Sequence, residues 1–104
     1  MIRHISLIKF KNGLSEDETR ELILGMGKLR ETHPEMLSFT WGKNRSKLGD
    51  SKGYTHCFEM EFADEQALNA YLKTKEHEKA SDAFIPYLEG GLDSVVVFDY
   101  EAKR

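Results

Sequence analysis

The chain has 104 residues, 39% of them hydrophobic and 32% charged, which is material for one core and too little length for two. Its 15 basic and 18 acidic residues leave a formal net charge of −3, and no window carries the dense basic stripe that a phosphate backbone demands, so nucleic acid is excluded as an expected partner. The one cysteine, Cys57, excludes an intrachain disulfide and a thiolate zinc site, and no stretch reaches the roughly 18 apolar residues of a membrane span. The expectation is a single domain over residues 1–104, cytoplasmic, with no membrane partner and no cleaved leader, because the amino terminus alternates instead of running apolar.

Residues 2–11 place Ile2, His4, Ser6, Ile8 and Phe10 on one side and Arg3, Ile5, Leu7, Lys9 and Lys11 on the other, which predicts a strand. Ser15 followed by Glu18 reads as a capping box, and a helix from Ser15 must end before Pro34. Leu22, Met26 and Leu29 form its apolar stripe with Ile23 at the flank, and His33 at its end is expected to be exposed. Gly25 and Gly27 within it each cost roughly 1 kcal/mol against Ala, so a local use is expected, either close packing or room for a ligand.

Residues 36–43 alternate again through Leu37, Phe39 and Trp41, and a polar, turn-rich loop covers residues 44–52. The clearest alternation is 54–62, where Tyr54, His56, Phe58, Met60 and Phe62 oppose Thr55, Cys57, Glu59 and Glu61. Asp64 can cap a short helix with Ala67, Leu68 and Tyr71 inward. A further helical stripe runs through His77, Ser81, Phe84 and Leu88, bent or frayed by Pro86 and ended by Gly90-Gly91. The run at residues 95–98 is β-branched and apolar on both sides, which predicts a strand buried on both faces.

This order, β-α-β-β-α-β with a split second helix, predicts an α+β ferredoxin-like fold, a four-stranded antiparallel sheet with helices on one face. Ile5, Leu7 and the last strand leave the far face apolar, and the simplest cover is a second copy, giving a homodimer in the form of a dimeric α+β barrel.

No phosphate-cradling glycine loop, nucleophile elbow or HExxH motif is present, so neither a cofactor nor a metal is expected. What carries chemistry is a histidine pattern. His4, His56 and His77 fall on inward faces together with Tyr71, although a neutral imidazole brings one donor and one acceptor that a core must satisfy. The four side chains either converge in one cavity or form a buried hydrogen-bond network that fixes packing; a three-histidine metal site lacks any diagnostic ligand spacing. Ser6, Ile8, Met26, Phe39, Phe58, Ser81 and Leu88 lie on the same inward faces and are assigned as walls of that cavity.

Arg3-His4-Ile5, Lys9-Phe10-Lys11, Trp41-Gly42-Lys43, Ser51-Lys52-Gly53-Tyr54-Thr55-His56, Tyr71 with His77, and Val97-Phe98-Asp99-Tyr100 together resemble the stress-responsive A/B barrel (Dabb) family of small dimeric α+β barrels. The resemblance implies a site, because His4, His56, Tyr71 and His77 match three histidines and a tyrosine used by a polyketide cyclase of that family. It implies cofactor-free proton transfer on a small, largely apolar carbonyl compound, with His77 as general base, Tyr71 holding the oxyanion, and His4 and His56 orienting, as in an aldol or Claisen cyclisation. The alternatives it implies are a non-enzymatic stress-response or ligand-binding dimer and a cofactor-free monooxygenase. The chain departs from the family at Thr74-Lys75-Glu76-His77, where many members carry His-Pro-Ala-His, and at Met26 and Gly27, which are smaller than the cyclase's pocket residues.

Overall fold

The computed structural model describes residues 1–104. In chain order the elements are β1 (Ile2–Ile8), α1 (Glu16–Gly27), β2 (Ser38–Lys43), β3 (His56–Phe62), α2 (Glu65–Leu72), α3 (Lys75–Phe84) and β4 (Val95–Glu101). All strand pairs are antiparallel and the sheet order is β2-β3-β1-β4, so the first strand lies between the third and the last. This is the ferredoxin-like arrangement anticipated from the element order.

The register decides which side chains meet. His4 stands opposite Met60 on one side and Asp99 on the other, and Ser6 stands opposite Phe58 and Val97. Directly opposed residues share a face, so Ile2, His4, Ser6 and Ile8 join Phe58, Met60 and Phe62 beneath the helices, with Val97 and Asp99 beside them. β1 ends at Ile8, three residues earlier than its alternation continues, because β3 begins at His56 and offers no further ladder; the Thr55 N–H donates to the Ile8 carbonyl at 3.0 Å and closes it. Phe10 survives only as an isolated bridge to Leu88.

The capping box of α1 forms as read: the Glu18 N–H donates to Ser15 Oγ at 3.1 Å and the Ser15 N–H to Glu18 Oε1 at 3.0 Å. Its buried face is Thr19, Ile23 and Met26, with Leu22 and Leu29 at the margin, so the stripe centres on Ile23. Gly27 has the packing use expected of it. A Cβ there would lie 2.7 Å from the Phe39 ring, which crosses the helix at that point. Gly25 has no such neighbour. The chain tightens into a 3₁₀ turn at Lys28–Glu31, and Arg30 donates to the Met36 and Leu37 carbonyls at 3.2 and 2.8 Å, which fixes the entry into β2.

The split between α2 and α3 has a local cause in Thr74. Its hydroxyl donates to the Tyr71 carbonyl at 2.8 Å and accepts from the His77 N–H at 3.2 Å, ending one helix and capping the next. Asp64 caps α2 as predicted. α3 stops at Phe84, and Pro86 lies in the following 3₁₀ turn, so Leu88 leaves the helix in an extended conformation while still packing in the core. No helix is long and apolar enough to cross a membrane.

Two expectations are corrected. β4 is not buried on both faces within the chain: it is an edge strand, paired only with β1, and Val97 and Phe98 are 54% and 62% exposed. His33 is not exposed but 6% accessible, since the 3₁₀ turn swings it inward against Tyr71.

Candidate functional site

Between the inner face of β1, β3 and β4 and the layer formed by α3 and the turn after it lies a cavity of about 300 Å³. Ser6, Ile8, Met26, Phe58, Ser81 and Leu88, six of the seven walls read from the sequence, line it together with His4 and His77. Eleven of its sixteen lining residues are hydrophobic, which suits a ligand with an apolar body. Leu92 and Val97, 67% and 54% exposed, mark its mouth beside β4.

The polar end is built by two imidazoles. His4, 6% exposed on β1, meets Asp99 of β4 with Nδ1 2.5 Å from Oδ1, an encounter set by their direct pairing across the strands. A carboxylate only accepts, so Nδ1 carries the proton and donates it, which leaves Nε2 as the basic nitrogen when the ring is neutral. His77 sits in the first turn of α3. Burial pushes its pKa below the ordinary imidazole value, a positive charge on His4 lowers it further, and the Leu72 carbonyl partly opposes both.

Tyr71 stands one layer behind this wall. Its side chain is fully buried, and its ring packs against His77 at 5.1 Å, Phe62 at 5.4 Å and His33 at 5.8 Å between centroids. Its hydroxyl is buried without a hydrogen-bond partner, and burial, with a smaller contribution from Glu35, pushes its pKa far up so that it stays protonated. His33 buttresses the ring from the far side: Nδ1 lies 3.2 Å from the Leu29 carbonyl and 3.0 Å from Thr32 Oγ1, and Nε2 lies 3.3 Å from Glu76 Oε1.

The expectation that all four residues share one cavity is corrected at two of them: Tyr71 packs behind His77 and does not line the cavity, and His56 lies elsewhere on the sheet. The register that puts His4 over the cavity places His56 at the far end of β3, opposite Ile8 and Lys43. There it packs edge-on to Phe10, which in turn meets the cavity-lining Phe84. His56 borders a separate, more open concavity of about 350 Å³ with Trp41, Lys43 and Tyr54. Burial and Lys43 push its pKa down, while Glu16, which is bonded to Lys43, opposes them. Phe39 also lies outside the cavity, stacked on Phe58 at 5.6 Å above Gly27. Asp99 is the residue that sequence reasoning missed. Its signal was an acid interrupting the apolar run of the last strand at the position that pairs with His4. No three His, Cys, Asp or Glu side chains converge closely enough to hold a metal ion.

Comparison with known proteins places the chain among relatives in sequence and fold. The chain is 35% identical over 100 residues to the stress-response A/B barrel domain-containing protein HS1 of Arabidopsis thaliana, covering 96% of this chain and 88% of that one. It is 24% identical over 103 residues to olivetolic acid cyclase of Cannabis sativa, covering 99% and 98%. Among solved structures, an Arabidopsis thaliana protein superposes with a TM-score of 0.91 at 33% identity, covering 100% of this chain and 97% of that one. The hydroxynitrile lyase of Passiflora edulis superposes at 0.82 with 25% identity, covering 95% and 90%. A dimeric ferredoxin-like protein of Jannaschia reaches 0.83 at 25% identity, covering 97% and 98%. The model of the stress responsive A/B barrel domain matches residues 2–102, a span that takes in every strand and helix described above, and the chain belongs to that family.

Proposed function

We propose that the protein is a homodimer that takes a small, largely apolar carbonyl compound into the His4/His77 cavity and moves a proton there without a cofactor. The observation that carries this reading is the pair of imidazoles at the polar end of an apolar cavity, one oriented by Asp99 and the other held neutral by burial. A neutral His77 takes a proton from carbon next to the carbonyl. The enolate oxygen needs a donor, and the Ser6 and Ser81 hydroxyls stand on the cavity wall to supply it, while Tyr71 packs behind His77 and against its ring. His4, its Nδ1–H spent on Asp99, presents Nε2 as a second base or, once protonated, as an acid that returns the proton. His56 has no place in this reading. Such steps make up an aldol or Claisen condensation, and the cyclase and lyase named among the relatives support the enzyme class.

The dimer rests on the open face of the sheet. Ile5 and Leu7 are only half-buried there, Val96, Phe98 and Tyr100 beside them are exposed, and burying one such large side chain gains about 1–3 kcal/mol. The dimeric neighbour supports the same assembly.

The test is exchange of ketone α-hydrogens for deuterium, followed by NMR, together with a screen of activated β-keto thioesters for cyclised product. Turnover that disappears in His77→Gln while binding persists is expected. Binding without any conversion above buffer would leave the ligand-binding dimer as the function.

A further inference from the structure

We propose that this cavity selects uncharged ligands and rejects carboxylates, so that its natural compound is a neutral ketone or aldehyde and not a keto acid. The inference rests on the carbonyl-binding reading above and adds the charge of the ligand to it. Its ground is the charge inventory of the walls. No Lys or Arg lines the cavity, and Asp99 is the one acidic side chain that does. The imidazole able to offer a positive charge at the wall, His4, is already committed to that carboxylate through Nδ1. The other, His77, lies where burial disfavours its protonated form.

An incoming carboxylate would therefore leave water without gaining a Lys or Arg partner, beside the Asp99 carboxylate at the exposed edge of the cavity, and amid walls that are mostly apolar. A carbonyl oxygen makes no such demand. The Ser6 and Ser81 hydroxyls, the first of them 4% exposed, supply the neutral donors that a ketone accepts. Val97 and Leu92 at the mouth bring no charge to compensate, so an anionic group is tolerated only if it stays outside in water.

Acetophenone and benzoate make a matched pair, equal in heavy atoms and differing in charge at pH 7.5. In titrations of the 104-residue chain followed by NMR, acetophenone is expected to bind about 30-fold or more tightly than benzoate. Any apolar pocket prefers a neutral ligand to some degree, so two variants assign the effect to the walls. Asp99→Asn should narrow the ratio several-fold by removing the negative charge. Val97→Lys, an exposed position on the edge strand where a long polar side chain is easily accommodated, should bring benzoate within about 3-fold of acetophenone. Benzoate binding as tightly as acetophenone in the wild type, no binding of acetophenone, or a ratio unmoved by Val97→Lys would each overturn the proposal. Deuterium exchange into the acetophenone methyl group, measured on the same samples, reports the catalytic reading separately. Selectivity without exchange would sink that reading and leave the charge rule standing.

Discussion

Replacing Tyr71 by Phe should make the protein more stable. The side chain is fully buried, yet its hydroxyl has no hydrogen-bond partner, and a buried unpaired polar group costs about 1–3 kcal/mol. The substitution removes that group and keeps the ring contacts with Phe62, His77 and His33. The lost contacts of one oxygen atom offset part of the gain, so the expected net is about 1 kcal/mol, which in a domain near 100 residues raises Tm by about 4–8 °C. Urea denaturation at pH 7.5 should show a higher midpoint with an unchanged slope. The same variant should lose no more than about 10-fold in deuterium exchange, because Tyr71 touches the His77 ring and does not line the cavity. A stability loss of about 1 kcal/mol or more would refute the reasoning, because it would mean that the hydroxyl is bonded in the folded chain.

The pH dependence follows from the direction of the histidine shifts. His77 and His56 both have depressed pKa values in the fold, so the unfolded chain takes up those protons first as pH falls. Their stability contribution is fully present above about pH 6.5 and declines as pH drops from there toward the depressed values, and urea midpoints in His77→Gln should show a flatter decline. Turnover should rise with pH through the lowered His77 pKa, giving an acid limb with its midpoint below about 6.5. Gly27→Ala should destabilise by about 1–3 kcal/mol in spite of the better helix former, because its Cβ meets the Phe39 ring at 2.7 Å while Phe39 is held against Phe58; denaturant midpoints decide it. Phe98→Asp should convert an assembly of twice the 12.0 kDa chain mass into a monomer by light scattering, and a wild-type monomer at all concentrations would end the dimer reading.

The elements were legible because their signals are local. Alternation marked the strands, Ser15 with Glu18 marked the start of α1, and Asp64 marked the start of α2. What escaped was set by contacts between elements. His56 shares its strand face with Phe58 and Met60, so periodicity assigns it to the same cavity; although its partner Ile8 lines that cavity, His56 is packed against Phe10, whose ring stands between it and Phe84. His33 looked like a helix end in water because nothing in the sequence announces the 3₁₀ turn that carries it behind Tyr71. Asp99 carries no local signal of its role, because its partner His4 lies 95 residues away in the chain.

The place of the cavity follows from how the layers cover one another. α1 packs toward β2 and α3, and α2 lies over β1 and β3, so the helix layer is centred away from the edge strand β4. Over β4 the cover is the irregular chain after α3, where Pro86 breaks the helix and Gly90 and Gly91 adopt positive φ. A regular helix there would have filled the space with its inward stripe; the broken one leaves the Leu88 to Leu92 segment arched over Val95 and Val97. The strand register then places the only wall carboxylate, Asp99, exposed on the edge strand, next to the buried His4 imidazole on the wall of that gap. The site is therefore a consequence of incomplete coverage at one sheet edge. Straightening the segment should close it: Gly90→Ala, at a φ of +75° that an L side chain rarely adopts, is expected to cost about 1–2 kcal/mol and to weaken acetophenone binding more than it weakens the fold. Binding unchanged in that variant, measured by the same NMR titration, would show that the arch does not shape the cavity.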